Sequence, residues 1–562
     1  MCFRRTLGGK EALTAPFRRK AFVNIYYSLG GSEHSKSVLM PLLVMAFALF
    51  AVDAYAGTPS APTASTCEHV QLEDFSQVQD APTQILSTAF KKAEGENPAY
   101  CHLEGYVTPN VGFEIMLPDA WNGKFLQIGC GGWCGITGFT VLCPVKKGYA
   151  CISTDMGHKS TTHDAKWAYN NLQGQFDFAV RATHVVTLAG KAIAERYYSK
   201  PPERSYFMGC SQGARQGMME AQRFPWDFDG IVAGGIPIDQ ERNVMTHLWA
   251  GRALFGEDGQ GRNGKSILST VDLKLVHQAA LDRCDADDGV KDGLIGDPSH
   301  CQFDPAVLLC KAGRKSACLD EEQVSAVKKI YEGPATSKGE PIYTGGPVVG
   351  SELNWVDAFF DGKSGRPIDG YADLYRYMAF MPAPGPTWKP TDFDFDNDYK
   401  RLALTEAIQA ASNPDLRKFK AAGGKLLAYH GWSDEGVPPR HFIDYYRTVE
   451  RTMGGSEKTL DFFRLFMIPG MNHCSGGDGA FAVDYLSYLE AWVEHGEAPN
   501  MMIGAHVNGY EDWVKAYFEL KFPLDPKLPV TFTRPYYPYP FQARYKGSGD
   551  PNKAESFYAV SP

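Results

Sequence analysis

The stretch Ser205-Tyr206-Phe207-Met208-Gly209-Cys210-Ser211-Gln212-Gly213 decides the fold. A short, largely apolar run at 205–208 predicts a buried strand, and helix-forming residues follow from 212 to 223. Between them lies a G-x-S-x-G pattern, which is typical of a sharp strand-to-helix turn that exposes a serine hydroxyl at the edge of a sheet. The sequence therefore predicts a strand–turn–helix unit with Ser211 at its apex.

Strands and helices alternate on both sides of this unit. Strand patterns cover 124–128, 149–154, 230–234, 425–429 and 463–468, and a helical pattern covers 176–198. The alternation predicts a doubly wound, mostly parallel sheet of the α/β class. It stops in residues 239–410, which are rich in Gly, Pro, Asp and aromatic residues, so we predict a lid domain inserted there. The core is then divided into residues 57–238 and 411–562, and a Pro/Tyr-rich segment at its end wraps the surface.

The composition suits a large globular protein. The chain has 562 residues, of which 44% are hydrophobic and 13% aromatic, enough for a sizeable core. The formal net charge is −9, with acidic and basic residues interspersed. Nucleic-acid binding would need a concentrated basic face, so the sequence indicates no nucleic-acid partner.

Residues 1–56 are predicted to be an N-terminal leader with a signal peptide. Lys36 precedes an apolar run at 38–52, and Ala54-Tyr55-Ala56 places small residues at the two positions that a signal peptidase reads. The run is short for a membrane span, which needs about 20 residues. We therefore expect cleavage near Ala56, a secreted or periplasmic location and no stable membrane span in the mature chain. The alternatives are an uncleaved anchor and a translation start at Met40.

The cysteines agree with export. Thirteen are present, and Cys2 lies in the leader, which leaves twelve. An even number is expected to pair in an oxidising compartment, whereas in cytosol it would indicate metal or redox sites. The Cys130-x-x-x-Cys134 spacing is a weak metal pattern. Cys210 precedes Ser211 and Cys474 follows His473, so a disulfide could join the two segments if the serine and the histidine meet.

Three residues have the chain order of a nucleophile, an acid and a base. A serine hydroxyl attacks well when a histidine accepts its proton and an acidic group orients that histidine. Asp434 follows the strand at 425–429, and His473 follows the strand at 463–468. Taken singly, each could be a structural loop residue, but the order Ser211, Asp434, His473 is that of an α/β-hydrolase fold. His158 also follows a strand and is a candidate to line the site.

An oxyanion hole is expected beside Ser211. One donor should be the backbone N–H of Gln212, directly after the nucleophile. The other should come from the glycine-rich loop after the strand at 124–128, with Gly131 or Gly132 as candidates, because glycine lets the backbone approach a substrate closely. A plain glycine turn is the alternative.

A segment in the predicted lid is dense in carboxylates. Calcium prefers six to eight oxygen ligands, a mixture of carboxylates and backbone carbonyls. The side chains of three aspartates and two carbonyl groups could supply them, although the spacing differs from an EF-hand and the closing glutamate is missing. The alternative is a solvated acidic turn. The candidate ligands are Asp285, Asp288, Val290, Asp292 and Leu294.

Several motifs together resemble the tannase and feruloyl esterase family, which includes fungal feruloyl esterases, tannases and a bacterial mono(2-hydroxyethyl) terephthalate hydrolase. The resemblance extends over nearly the whole mature chain. The motifs are the elbow at 209–213, the segment around Asp434, Pro469-Gly470-Met471-Asn472-His473-Cys474-Ser475-Gly476-Gly477, Trp121-Asn122-Gly123-Lys124-Phe125, Gln222-Arg223-Phe224-Pro225, Phe393-Asp394-Phe395-Asp396 and residues 544–550.

This resemblance implies the site residues and several pairings. Ser211, Asp434 and His473 would form the catalytic triad, and the aspartate loop would bind a structural Ca²⁺ in the lid. The implied disulfides are Cys210–Cys474, Cys284–Cys301, Cys310–Cys318 and Cys67–Cys101.

The sequence departs from the family pattern in three places. One is a C-terminal cysteine pair of some members, which is missing here, where Tyr536 and Tyr537 occupy that neighbourhood. Ala214 stands where many members have a second glycine, under the predicted nucleophile. Cys130, Cys134, Cys143 and Cys151 lie near the oxyanion loop and match no family pairing; Cys134–Cys143 is one guess.

The resemblance implies an exported serine carboxylesterase that hydrolyses esters of aromatic acids through an acyl-enzyme. Its partner would be a small hydroxycinnamoyl or galloyl ester. A terephthalate-monoester hydrolase is an alternative that needs a cation, for which Arg376 is a candidate; a catalytically silent binding protein would have a broken triad. An aromatic acyl pocket is expected from lid residues, which could instead form the lid core: Tyr371, Tyr375, Tyr377, Phe380 and Trp388.

Overall fold

The computed structural model of the protein describes residues 64–311, 317–369, 371–508 and 529–561. The predicted leader, residues 1–56, lies outside the described residues, as does part of the predicted C-terminal wrap, residues 509–528. Within the described chain, no helix has the length and apolar character needed to cross a membrane.

A nine-stranded sheet is the centre of the fold. Its strand order is β1-β2-β3-β5-β4-β6-β7-β8-β9. The six strands from β5 to β9 in this order are parallel, and β1, β2 and β3 extend them as antiparallel strands. The strands are β1 (Thr83–Lys91), β2 (Tyr100–Val107), β3 (Val111–Pro118), β4 (Lys124–Ile128), β5 (Ala150–Thr154), β6 (Arg204–Cys210), β7 (Gly230–Gly234), β8 (Lys425–Gly431) and β9 (Phe463–Ile468).

Two small hairpin sheets follow near the C-terminus. β10 (Met502–Val507) pairs with β11 (Val530–Tyr536), and β12 (Gln542–Tyr545) pairs with β13 (Phe557–Val560), both antiparallel. A β-bridge between Phe466 and Pro538, with the N–H of Tyr539 donating to the carbonyl of Leu465 at 2.7 Å, connects this region to β9.

The parallel strands are buried on both faces, which explains their nearly continuous apolar sequences. In β6, Phe207 faces one core cluster, whereas Tyr206 and Met208 face another. The first cluster includes side chains of α3 (Ala182–Tyr198) and α4 (Gln212–Arg223), and the second includes side chains of α13 (Tyr485–His495). Because neighbouring residues of a strand point to opposite faces, one strand contributes to both layers.

Helices cover the sheet and form much of the inserted segment. The predicted helix at 212–223 is α4, whereas the predicted helix at 176–198 is interrupted by a π-helical turn at Asp177–Arg181. The helices are α1 (Ala64–Val70), α2 (Leu172–Phe176), α3 (Ala182–Tyr198), α4 (Gln212–Arg223), α5 (Gln240–Phe255), α6 (Thr270–Cys284), α7 (Glu321–Glu332), α8 (Ala372–Tyr377), α9 (Ala403–Gln409), α10 (Arg417–Ala421), α11 (Pro439–Met453), α12 (Ser456–Leu460) and α13 (Tyr485–His495).

The chain between β7 and β8 contributes no described strand to the central sheet, although these two strands are direct neighbours in it. Part of this segment has its own hydrophobic cluster, formed by residues between 250 and 360 and including Phe255, Trp355 and Phe360. The segment therefore has a hydrophobic core of its own. The limits 239 and 410 of the lid stay a prediction.

Candidate active site

Ser211 occupies a strained turn between β6 and α4. Its φ of 58° and ψ of −126° are unusual for a residue with a side chain. The turn is possible because glycines flank it: a Cβ on Gly209 would lie 2.5 Å from the carbonyl carbon of Gly213, and a Cβ on Gly129 would lie 2.6 Å from the Cα of Gly213. Close backbone packing therefore explains the glycines of the G-x-S-x-G pattern.

The three residues of the predicted triad follow parallel strands at the same edge of the sheet. Ser211 follows β6, Asp434 follows β8 and His473 follows β9. The imidazole Nδ1 of His473 lies 3.0 Å from Oδ1 and 2.9 Å from Oδ2 of Asp434. Ser211 and His473 both line a cavity of about 300 Å³. Ser211 and His473, the partner of Asp434, thus lie at one cavity.

Gly235, directly after β7, shows how tightly this region is packed. A Cβ at this position would lie 3.2 Å from Oδ2 of Asp434, 3.2 Å from Sγ of Cys210 and 3.3 Å from Cε1 of His473. The φ of Gly235 is also +51°, a conformation that favours glycine. Residues from β6, β7, β8 and β9 therefore meet at one point, which no single sequence motif indicated.

Asp434 is fully buried and is ionised in spite of its burial. Burial alone would raise its pKa, but the charges and hydrogen bonds of His473 and His430 outweigh this and hold the pKa well below the usual range. The backbone N–H of Val437 donates to Oδ1 at 2.7 Å, and Nε2 of His430 lies 3.3 Å from Oδ2. His430, the last but one residue of β8, therefore contacts Asp434 directly.

The interaction with Asp434 also changes the pKa of His473, in the opposite direction. Burial lowers the pKa of its imidazole, but the charge and hydrogen bond of Asp434 raise it by more, so the pKa lies above the ordinary value of 6.5. Glu435 lies beside the pair; burial and the charge of Asp434 raise the pKa of Glu435 to about 7. The pKa of Glu435 therefore lies near neutral pH, and that of His473 lies above its ordinary value.

Two of the three predicted oxyanion donors line this cavity, and the third adjoins Ser211. Gly131 and Gly132 line it, and Gln212 begins α4 next to Ser211. Within the described residues, the N–H groups of these three residues have no hydrogen-bond acceptor in the protein. They are free to bind a developing negative charge, and the geometry does not choose between Gly131 and Gly132.

Six disulfides are formed by the twelve cysteines outside the leader. Cys210 and Cys474 are joined, with Cα atoms 5.8 Å apart, so the residues next to Ser211 and His473 are covalently linked. The implied pairs in the lid and at the N-terminus are also present. The guess Cys134–Cys143 is wrong, because the structure pairs Cys130 with Cys134 and Cys143 with Cys151. The weak metal pattern at Cys130 is thus a disulfide.

The residues that line the cavity are mostly not the lid aromatics that the sequence predicted. Of the five lid aromatics, only Tyr371 lines it, whereas Tyr375, Phe380 and Trp388 pack in a buried aromatic cluster with Phe393. Tyr377 is buried too, with Tyr169 against it. Much of the wall comes instead from loops of the core. The wall includes Ile128, Trp133, Phe139, Leu142, Thr162, His163 and Tyr429.

Two further candidates lie away from the cavity. His158 is buried, with Nε2 2.7 Å from the carbonyl of Trp133 and its ring stacked on Trp167. Arg376 contacts the carboxylates of Asp369 and Asp373 and lines a different cavity. His158 therefore contacts and supports the predicted oxyanion loop. Arg376 is not placed to contact a substrate carboxylate beside Ser211.

Arg215 is a supporting residue that the sequence analysis missed. Its guanidinium is fully buried and donates to the side chain of Gln212 at 2.9 Å. It also donates to three backbone carbonyls, those of Phe178, Ala179 and Gln409. The residue thus connects the first turn of α4 to the π-helical turn at Asp177–Arg181 and to the last residue of α9. Local sequence does not indicate this link between distant segments.

The predicted calcium loop has oxygen donors of the expected kind. Asp285 accepts hydrogen bonds from the backbone of Asp292 and Gly293, and Arg534 donates to Asp292 at 2.5 Å. Burial, with the charges of Asp292 and Asp285, raises the pKa of Asp288 to about 7. Crowded carboxylates of this kind fit a bound dication, which would relieve their repulsion. Arg534 already neutralises part of the charge.

The sheet, the elbow and the loops at the carboxyl ends of the strands define an α/β-hydrolase fold. The family model for tannase and feruloyl esterase matches residues 93–560. The chain therefore belongs to the tannase and feruloyl esterase family and is a carboxylic ester hydrolase of that type.

Relatives with similar sequences carry related names. An uncharacterized esterase of Xanthomonas campestris is 32% identical over 571 residues, covering 92% of this chain and 95% of its own. A mono(2-hydroxyethyl) terephthalate hydrolase of Piscinibacter sakaiensis is 32% identical, covering 83% and 85%. A probable feruloyl esterase of Arthroderma benhamiae is 33% identical, covering 79% and 81%.

Solved structures agree with the fold. Feruloyl esterase B from Aspergillus oryzae superposes with a TM-score of 0.76 at 28% identity, covering 88% of this chain and 99% of its own. A tannin acyl hydrolase from Aspergillus niger gives a TM-score of 0.71 at 20% identity, covering 89% and 95%. At that identity the second likeness concerns the fold alone.

Proposed function

We propose that this protein is an exported serine carboxylesterase that hydrolyses esters of aromatic acids through an acyl-enzyme. The observation that carries the proposal is the pairing of His473 with the buried carboxylate of Asp434, at 2.9 Å, beside a cavity that Ser211 also lines. A catalytically silent binding protein would have no need of this arrangement. The intact Ser211, Asp434 and His473 therefore favour an enzyme.

In the proposed reaction, His473 accepts the proton of the Ser211 hydroxyl while Oγ attacks the ester carbonyl. Asp434 holds the imidazole with Nδ1 toward the carboxylate and stabilises the imidazolium that forms. The N–H groups of Gln212 and of Gly131 or Gly132 bind the oxyanion. His473 then gives the proton to the departing alcohol, and water repeats the sequence to release the acid.

The cavity favours a neutral aromatic acyl group. Its volume of about 300 Å³ lies at the small end of the range for small-molecule sites, and its wall is mostly apolar and aromatic. Among the described residues that line it there is no lysine or arginine, so a second carboxylate on the ring would have no strong cationic partner. This supports hydroxycinnamoyl or galloyl esters over terephthalate monoesters.

A hydrolysis panel tests the substrate class. The substrates are methyl ferulate, methyl gallate, a terephthalate monoester and a short-chain p-nitrophenyl ester. We expect the highest kcat/KM for one of the first two. A terephthalate monoester as the best substrate would overturn the proposed acyl class while leaving the serine mechanism intact.

The acid side of the pH profile should report His473. The imidazole must be neutral to accept a proton, so kcat/KM should rise with pH through the pKa of His473, and Asp434 raises that pKa above 6.5. We expect half-maximal kcat/KM above pH 6.5. Because Glu435 titrates nearby, the profile should also be measured for Glu435→Gln. An acid limb that disappears in this variant would assign the titration to Glu435 and contradict its assignment to His473.

We further propose that the loop of Asp285, Asp288 and Asp292, with the carbonyls of Val290 and Leu294, binds a structural Ca²⁺. Bound calcium would neutralise the crowded carboxylates and stabilise the lid. The support is the all-oxygen donor set and the half-buried carboxylate of Asp288, whose pKa is raised to about 7.

Removing calcium should therefore lower the thermal stability. Saturation at 100 times the Kd stabilises a protein by about 2.7 kcal/mol, so EGTA should lower the Tm by several degrees, and added calcium should restore it. The effect of EGTA should be much smaller in Asp288→Asn. Asp287→Asn, at an exposed neighbouring carboxylate, is the matched control and should keep the full effect. A Tm of the wild-type protein that is insensitive to both EGTA and calcium would refute the site.

Export is part of the proposal. Six disulfides are typical of a protein from an oxidising compartment, and the predicted signal peptide agrees with this. N-terminal sequencing of the mature protein should give a start near Gly57; an intact leader would contradict cleavage.

A further inference from the structure

We propose that the Cys130–Cys134 disulfide and the side chain of Gln216 form a clamp that positions both halves of the oxyanion hole. The inference rests on the proposed serine mechanism. The disulfide closes a ring of five residues, and both candidate donors of the loop, Gly131 and Gly132, lie inside this ring. This pairing lies outside the family pattern described above.

The loop inside the ring has a demanding backbone. Gly132 and Cys134 both adopt left-handed conformations, with φ of 55° and 58°. A Cβ on Gly132 would lie 2.1 Å from the carbonyl oxygen of Thr162, and the N–H of Trp133 donates to the same oxygen at 2.7 Å. A left-handed residue with a side chain is unfavourable unless its surroundings hold it. The disulfide at Cys134 is the covalent restraint that does so.

Gln216 connects this ring to the helix that carries the other donor. It lies one turn after Gln212 on α4, and its side chain is buried. Its Oε1 accepts a hydrogen bond from the N–H of Cys130 at 3.4 Å. Its Nε2 lies 2.9 Å from Sγ of Cys130 and 3.5 Å from Sγ of Cys134. One side chain therefore contacts both ends of the ring.

The two halves of the oxyanion hole are consequently held as one unit. Gln212, which supplies one donor, is the first residue of α4. Gln216, one turn later on the same helix, contacts the ring that contains Gly131 and Gly132. Oxyanion donors act only when they lie about 2.7–3.1 Å from the charged oxygen, and a misplacement of about 1 Å can cost about 10²-fold in rate. Cys130, Cys134 and Gln216 are thus positioning residues.

Two separate variants test the clamp. One is the Cys130→Ala/Cys134→Ala double variant, and the other is Gln216→Met, which has a side chain of similar length but cannot make the hydrogen bonds of Gln216. We expect kcat to fall by about 10- to 100-fold with KM changed less than threefold, because the donors bind the tetrahedral intermediate more strongly than the substrate. The Ki for a phenylboronic acid, whose tetrahedral adduct needs the same donors, should rise by a similar factor.

Cys67→Ala/Cys101→Ala is the matched control. This disulfide lies in the N-terminal region, and neither of its cysteines is among the residues that line the cavity beside Ser211. At a temperature where circular dichroism shows every variant folded, the control should keep the wild-type kcat and boronate Ki. Wild-type kcat and Ki in the clamp variants, or equal losses in the control, would overturn the clamp. A Ser211→Ala variant with full turnover would instead overturn the serine mechanism itself, so the two failures are distinguishable.

Discussion

Replacing Ser211 with alanine is expected to lower kcat by at least about 10⁴-fold on the best ester of the panel. Without the hydroxyl no acyl-enzyme forms, and only the oxyanion donors and substrate binding remain to assist water. The substitution removes a single oxygen atom, so the fold and the Tm should stay close to those of the wild type. Steady-state hydrolysis measures the loss, and mass spectrometry after reaction with a fluorophosphonate should show a label on Ser211 in the wild type alone.

Ser205→Ala is the matched control for this variant. Ser205 lies on the same strand, β6, but at its opposite end, and is buried away from the cavity. Its activity should remain within about twofold of the wild type, since such a change does not touch the site. Turnover by Ser211→Ala above about one hundredth of the wild-type rate would refute the assignment of the nucleophile.

Replacing Asp434 with asparagine should lower kcat by about 10⁴-fold, the size of effect seen when the acid of such a triad loses its charge. The buried carboxylate accepts from Nδ1 of His473, and an amide could turn its NH₂ group toward this nitrogen and favour the wrong tautomer. Because Asp434 raises the pKa of His473, the remaining activity should have its acid limb at lower pH than in the wild type.

Glu435→Gln separates this effect from a general loss of negative charge. Glu435 is the neighbouring carboxylate and also raises the pKa of His473, but Asp434 contributes more. We expect Glu435→Gln to cause a much smaller loss of kcat and a smaller shift of the acid limb. Equal losses in the two variants would show that Asp434 has no special role in orienting the imidazole.

Much of the parallel sheet was predictable from sequence. The predicted strands at 124–128, 230–234 and 463–468 have the same limits in the structure, and so does the helix at 212–223. The three strands are short, apolar and bounded by turns, so the local sequence pattern suffices to predict their limits. β1, β2 and β3, at the antiparallel end of the sheet, were not identified as strands. Much of β1 is exposed, so its apolar pattern is weak.

The candidate site was predictable in its chemistry but not in its walls. The elbow and the order Ser211, Asp434, His473 are local motifs placed after recognisable strands. The contributions of Phe139 and Leu142 to the cavity, and the burial of Tyr375 in the lid core, depend on how distant segments pack. Side chains of similar chemistry can serve as core or as binding surface, and only packing separates the two.

By itself, the sequence determined the α/β core and the strained turn at Ser211, because backbone periodicity and glycine sterics act over a few neighbouring residues. The family followed from the resemblance of several sequence motifs to those of known members. The tertiary structure alone decided the pairing of Cys130 with Cys134, the contact of Gln216 with that ring and the meeting of four strand ends around Gly235. Each of these depends on distances between segments brought together by folding. Such distances follow from the packing of the whole chain, which no local pattern records.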